Sequence, residues 1–416
     1  MKRVALLSSE PIRSKVAGIG IRYLEFARRL PAFGFAVRLV SPADPREPDY
    51  PELPGVESRA FERGKLQEIL AGCDVAVAQG QLANDLLLEV PGLPTAIDLY
   101  DPWLIENFAY ARTLGLDPYR NDHATWVLQM SRGDFFLCSS EEQRTFYLGF
   151  LTALGRVNPE RLEADPDLSR LVAAVPFGVP ETLPEHRPVL PARTGGEKRL
   201  LFGGIYDWYD PGTLLDALRH LEEDWVLYFL RHPNPEVTPQ ELFQQVEARC
   251  RQRGWWGTKV QAVPWVPADR RYDLLRDVDL MVAPHRPSLE TQLSLRTRFL
   301  DALAAGCPVI TSEGGAMSRM LAEHDAGWVA PPGDAPALAR CLREALADPE
   351  SKRPGALRLV QEFRWDRVLA PLVRFCNDPQ GDGAKERFAY RPATLTPPDP
   401  LVFRLRRRIR NWRRNA

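Results

Sequence analysis

Short apolar runs of strand length alternate with stretches of helical spacing along this chain, and the alternation occurs twice. The first series is Val4–Leu7, Val37–Val40, Asp74–Ala78, Ala96–Leu99, Phe135–Cys138 and Val172–Pro176. Between its first two members Tyr23, Phe26, Ala27 and Leu30 recur on one helical face. Strands apolar on both faces belong in a parallel sheet covered by helices on both sides. Residues 180–198 interrupt the pattern with several prolines and the adjacent Gly195 and Gly196, the composition of an inter-domain linker. The alternation restarts with Leu200–Phe202, Trp225–Leu230, Lys259–Val263, Leu280–Pro284, Pro308–Thr311 and Gly327–Val329. The expected architecture is α/β: a doubly wound, Rossmann-like domain at 1–179, the linker, a second such domain at 199–378, and a cleft between them. Ligands of such sheets bind beyond the carboxyl ends of the strands. The linker and the Phe177-Gly178 turn are the expected hinge. Residues 379–416 form a proline-rich and then basic tail.

Composition excludes several classes. The 416 residues carry a formal net charge of -1, so no global field favours nucleic acid. The cysteines at 73, 138, 250, 307, 341 and 376 form no close pair, which predicts buried free thiols. The histidines at 123, 186, 220, 232, 285 and 324 show no ligand spacing, so neither a metal nor a covalently bound cofactor is expected. No run approaches the ~18 apolar residues of a spanning helix. The apolar core of Met1–Glu10 is too short for a signal peptide, which predicts a cytoplasmic protein.

Gly18-Ile19-Gly20 opens a helix and offers backbone N–H groups to a phosphate, with a plain tight turn as the alternative. A dinucleotide fingerprint fails here, because the third glycine is missing and Arg38–Pro42 closes the second strand without an acid. Asp98 is expected buried at a strand end. Asp101 stands beside aromatic residues, a surface suited to sugar rings and their hydroxyls. His232 follows the strand Trp225–Leu230 at the cleft edge. Trp265 follows Lys259–Val263 in the same way, and proline turns are the structural alternative for both.

The segment Val282–Ser312 is the most informative. Its end, Asp301-Ala302-Leu303-Ala304-Ala305-Gly306-Cys307-Pro308-Val309, resembles the Glu-Ala-x-Ala-x-Gly-x-Pro-Val of the nucleotide-sugar glycosyltransferases of family 4, also called group 1. Val175-Pro176-Phe177-Gly178-Val179 is similar to that family's inter-domain hinge. The resemblance implies a GT-B fold and transfer of a sugar from a nucleotide diphosphate sugar to an acceptor hydroxyl with retention. The donor would be a co-substrate and no metal would be required. It implies Asp301 on the ribose hydroxyls, and a helix starting near Ser294 whose first turn, with Ser294, Arg296 and Thr297, faces the diphosphate. Arg296 or Arg298 would supply charge-assisted bonds to it.

Three departures mark a divergent subtype. Leu293 stands where the family has a glutamate eight residues before Asp301, leaving Glu290 on the preceding loop as the nearest substitute. Gly203 falls where the family has Gly-Arg, and Ile205–Pro211, with Asp207, replaces the arginine and lysine that hold diphosphate there. No histidine lies near Ala78–Gln81, so the family's first-domain histidine does not carry over. Asp277-Val278-Asp279 spells the metal motif of the other glycosyltransferase fold, but it reads as a strand entry.

Glu290, Arg296 and Asp101 are thus the candidate catalytic residues. Gly18, Gly20, Gly203, Asp207, His232, Trp265, Ser294, Thr297, Arg298 and Asp301 are the candidate donor-binding residues. The expected acceptor is a saccharide or lipid-linked saccharide of a cell-surface glycan. A nucleotide-sugar 2-epimerase, or an inactive nucleotide-sugar binding protein, is the alternative. Residues 401–416 carry seven arginines, and Leu405, Ile409 and Trp412 would share a helical face, a pattern suited to an anionic membrane surface. That would place the enzyme peripherally at the inner face of the membrane.

Overall fold

The computed structural model describes residues 1–111, 115–193, 195–231, 241–383, 385, 387 and 388. The first apolar series forms a sheet of β1 (Arg3–Leu7), β2 (Ala36–Ser41), β3 (Val56–Ala60), β4 (Val75–Ala78), β5 (Thr95–Asp98), β6 (Phe135–Cys138) and β7 (Val172–Ala174). Its order is β3-β2-β1-β4-β5-β6-β7, and every pairing is parallel. The second series forms β8 (Lys198–Gly203), β9 (Trp225–Leu230), β10 (Val260–Val263), β11 (Leu280–Ala283), β12 (Val309–Ser312) and β13 (Trp328–Ala330), also all parallel, in the order β10-β9-β8-β11-β12-β13. Winding reverses between β1 and β4 in one sheet and between β8 and β11 in the other. These are the switch points where such sheets open a crevice.

The strands are buried because both faces are covered. β1, β4, β5 and β6 contribute side chains alternately to the two cores that flank the first sheet. A separate core surrounds the second sheet. The domain boundary expected at 378 shifts by packing. Trp365, Val368, Leu369, Leu372 and Cys376 lie in the core of the first sheet, so the helices α7 (Trp365–Val368) and α8 (Ala370–Asn377) return to the first domain. The second crossing runs beside the first: Val179 N donates to Phe363 O at 2.7 Å and Trp365 N to Val179 O at 3.2 Å. Gly178 lies so close to Trp365 that a Cβ there would sit 2.4 Å from the indole.

The proline-rich stretch is not a free hinge. Asp277 accepts the Val189 amide at 2.6 Å, the Leu190 amide at 2.8 Å and His186 Nε2 at 2.9 Å. Asp273 takes the Arg187 amide at 3.1 Å, and Asp279 takes the Arg193 guanidinium at 2.8 and 3.0 Å. The Asp-Val-Asp triad therefore anchors the linker to the second domain. The two crossings between the domains are joined by a parallel bridge between Val179 and Arg364.

The two domains touch on both sides of the cleft. Trp265 Nε1 donates to Val16 O at 3.3 Å and Ala268 N to Ser14 O at 3.1 Å. Opposite them, Arg319 pairs with Glu142, and α4 (Leu289–Leu293) packs on α2 (Trp103–Glu106). Every cysteine is free, and among the described residues no helix is long and apolar enough to cross a membrane. The tail at 401–416 lies outside the described residues.

Candidate active site

A cavity of about 280 Å³ lies between the domains, lined from one side by Gly18, Tyr100, Asp101 and Glu106 and from the other by Gly203, Trp265, Ser294, Arg296, Thr297, Arg298 and Asp301. The expected helix starts later than the sequence suggests. A short turn, α4, holds Glu290, and α5 runs from Thr297 to Ala304 with Arg296 at its N-cap.

This offset separates the two arginines. Arg296 donates to both carboxylate oxygens of Glu290 at 2.6 Å, and the side chains are 10% and 6% exposed. Arg296, expected at the diphosphate, and Glu290, expected at the sugar, are here paired with each other in a buried ion pair, with Arg296 still at the cavity wall. Arg298 differs. Its Nη1 is buried without a hydrogen-bond partner, and Nη2 reaches only the Tyr206 hydroxyl at 3.4 Å. The guanidinium lies over the Trp265 ring at 4.8 Å from its centroid. It closes on the turn after β8, where a Cβ at Gly203 would be 2.8 Å from Nη1. Gly203 also has φ +87, a left-handed conformation that glycine adopts without strain. Arg298 of α5 thus places a guanidinium beside the loop after β8, which itself carries no arginine or lysine.

Asp301 sits one turn into α5. Its Oδ2 accepts Arg271 Nε at 3.2 Å, while Oδ1 is buried and unpartnered. Burial pushes this carboxyl up, and Arg271 opposes the shift. Arg271 reaches Glu25 of the first domain at 3.7 Å, linking this end of the cavity to α1 (Gly18–Arg29). Ser294 also lines the cavity with its hydroxyl buried and unpartnered.

The start of α1 is not an open phosphate seat. Glu10 accepts the Ala17 amide at 2.6 Å and the Gly20 amide at 2.7 Å. A carboxylate of the chain itself fills the positive end of the helix. Burial raises this carboxyl and the two amides oppose the shift. Gly20 therefore drops out as a donor contact. Gly18 stays at the cavity wall, where a Cβ would meet the Tyr100 hydroxyl at 2.6 Å. Asp207 is half-buried and does not itself line the cavity, although Tyr206 and Trp208 on either side of it do. His232 lies outside the described residues.

On the first-domain side Asp101 has a partner the sequence did not single out. The carboxyls of Asp101 and Glu106 neighbour each other, and each shifts the other's titration. Burial raises both, Glu106 far above the usual range, and Glu290 adds to the effect while Arg296 opposes it. An acid five residues after another carries no periodic signal, so only the fold reveals the pair. Asp98 is buried, as expected, in a bidentate pair with Arg22 at 2.7 and 3.0 Å.

Comparison with known proteins decides what kind of cleft this is. Residues 197–348 match the family model of the glycosyl transferases group 1. This part of the chain is a group 1 glycosyltransferase domain. The chain is 27% identical to the phosphatidyl-myo-inositol mannosyltransferase of Mycolicibacterium smegmatis over 216 residues, 51% of this chain and 53% of that protein. It is 31% identical to the D-inositol 3-phosphate glycosyltransferase of Jonesia denitrificans over 187 residues, 43% of this chain and 42% of that protein. The matches thus span about half the length of these curated relatives or less. The glycosyltransferase domain and its partner together superpose on sucrose-phosphate synthase from Thermosynechococcus elongatus with a TM-score of 0.65 at 17% identity, over 91% of this chain and 98% of that one. Anabaena Alr3699/HepE in complex with UDP-glucose gives 0.64 at 13% identity, over 91% and 100%. The fold is GT-B.

Proposed function

We propose that this protein transfers a sugar from a nucleoside diphosphate sugar to an acceptor hydroxyl, as a divergent member of family 4 within the group. The observation that carries the reading is Arg298, a cation with an unpartnered buried nitrogen, held against the Gly203-Gly204 turn at the β8/β11 switch point. An anionic diphosphate satisfies that nitrogen, with the N-terminal amides of α5 beside it. Asp301, with one free carboxylate oxygen, suits ribose hydroxyls. The rest of the work is positioning and stabilising the leaving diphosphate.

The reading includes retention at the anomeric carbon, independence of metal, and an acceptor that is a saccharide or lipid-linked saccharide of a cell-surface glycan. One curated relative is named for phosphatidyl-myo-inositol, which supports the lipid-linked form of the acceptor. The test is a thermal-shift screen of the full chain with nucleoside diphosphates, followed by transfer assays with the sugar nucleotides of the base that binds. A ligand that binds only the native state raises Tm. Failure of every nucleoside diphosphate to raise it would remove the proposal. Donor turnover without acceptor would turn it towards an epimerase.

A further inference from the structure

The Asp101–Glu106 pair has no place in the donor machinery, and its surroundings are built with care. Asp101 lies on the loop after β5, and this loop is fixed from beneath. Leu99 O accepts the Tyr147 hydroxyl at 2.8 Å, Tyr100 O accepts Gln143 Nε2 at 2.9 Å, and the Tyr100 amide donates to Asp98 at 3.3 Å. Pro102 O accepts the amides of Ile105 at 2.7 Å and Glu106 at 3.1 Å, which starts α2 and turns Glu106 back towards Asp101. Rigid backbone on a strand end and a helical turn is what a recognition site requires.

Among the described residues, the two carboxyls accept no hydrogen bond from a side-chain or backbone donor; their nearest polar partners are each other. A proton held between two such carboxyls can be turned to a ligand as one O–H, and the remaining oxygens offer several acceptor lone pairs. Both residues line the cavity and are half-buried. Across the same cavity, on the wall of the donor seat, two further polar groups are left without a partner. Ser294 and Asp301 are 6% and 7% exposed, and each has a side-chain oxygen that is buried and unpartnered. A polar group withdrawn from water without a partner is unfavourable, so such groups mark places a ligand fills.

Charge decides which ligand. The groups that face the pair are Asp98, neutralised by Arg22, and the Glu290–Arg296 ion pair across the cleft. Arg296 is held by Glu290, which leaves it unable to neutralise a further anion. A hydroxyl is satisfied here as donor and as acceptor, whereas a phosphate meets carboxylates.

We propose that Asp101 and Glu106 form the acceptor subsite and select a neutral polyhydroxyl compound, a sugar or cyclic polyol, against one phosphorylated at the end that enters. The subsite rests on the transferase reading, since the diphosphate seat at Arg298 places the donor on the opposite wall. Glu106 is then a substrate-binding residue and a specificity determinant. On binding, the proton shared by the two carboxyls turns from the neighbouring carboxylate to a ring or hydroxyl oxygen of the ligand, and the ionised oxygens accept its hydroxyls.

Saturation-transfer NMR on the full chain tests this, with UDP or GDP saturating and with glucose, mannose and myo-inositol as probes beside glucose 6-phosphate, mannose 6-phosphate and myo-inositol 1-phosphate. At least one neutral probe should bind, with its phosphate weaker by at least about tenfold. The double variant D101N/E106Q, which keeps hydrogen bonding and removes charge, should narrow that gap below about threefold. D101A/E106A should abolish the neutral signal while the nucleotide Kd, measured by calorimetry, stays unchanged. Equal or tighter binding of the phosphates, survival of the neutral signal in D101A/E106A, or no neutral probe bound would each overturn the proposal while nucleotide binding stands. Loss of nucleotide binding by the wild-type chain would overturn the transferase reading and this subsite with it.

Discussion

Arg296 and Glu290 are joined by two hydrogen bonds of 2.6 Å inside the cleft, and Arg298, two residues on, is left with an unpartnered nitrogen. One arginine is therefore structural and the other is available to a ligand. R298A should weaken nucleoside diphosphate binding by roughly 10–100-fold, the loss of a charge-assisted bond of about 1.5–3 kcal/mol, with little effect on the nucleoside. Titration calorimetry with both ligands checks it, and an equal loss for the two would contradict the assignment.

R296A leaves the Glu290 carboxylate buried without a partner. Breaking such a pair costs about 3–5 kcal/mol, or a fall in Tm of at least about 6 °C for domains of this size. Replacing both partners by apolar residues, as in E290L/R296M, should restore most of the loss. Scanning calorimetry of the three proteins measures it, and a mild R296A phenotype would show that the pair is not the buried unit described.

The pH dependence follows from Glu106. Its carboxyl is raised by burial and by Asp101, so the folded state favours the proton. Such a group subtracts stability as pH rises above its ordinary value, 4.5, most steeply between that value and the raised folded one, and the loss levels off beyond it. E106Q removes that loss. Tm of the variant should match the wild type at pH 4 and exceed it increasingly towards pH 9. Parallel curves over this range would refute the raised carboxyl.

The linker prediction concerns exchange. The Val189 and Leu190 amides donate to Asp277 and should be protected from hydrogen exchange. D277A should expose them to exchange at least about tenfold faster, since each bond to a charged group is worth about 1.5–3 kcal/mol. Fast exchange at both positions in the wild type would restore the linker as the flexible joint.

Gly178 tests the joint itself. A methyl group there meets the Trp365 ring at 2.4 Å, so G178A should destabilise the protein by about 1–3 kcal/mol, as overpacking does. It should also change the small-angle scattering profile, because the two chain crossings lie side by side. Wild-type stability and shape in G178A would place the bend elsewhere.

How much of this was legible in the sequence depended on what each element buries. Strands covered on both faces are continuous apolar runs, so β4, β6 and β9 announced themselves. β3 did not: Val-Glu-Ser-Arg-Ala is a polar edge strand, half-solvated on both sides. The ending Asp301–Val309 carried the family because the helix-to-strand turn there has a composition of its own. Arg296 and Arg298 could not be told apart, since the choice lay with Glu290, six residues upstream in a separate turn. Glu10 and Glu106 were invisible for the same reason. Each is a lone acid in a short segment whose partner is set by tertiary packing.

Glu10 carries one more consequence. The two sheets are nearly the same device, each with a helix start aimed at the shared crevice, and an unmodified pair would present two equivalent anion sockets. The chain plugs one of them with its own carboxylate. A molecule with a charged end and a neutral end can then lie across the crevice in a single direction, so the reaction has a head and a tail before either substrate arrives.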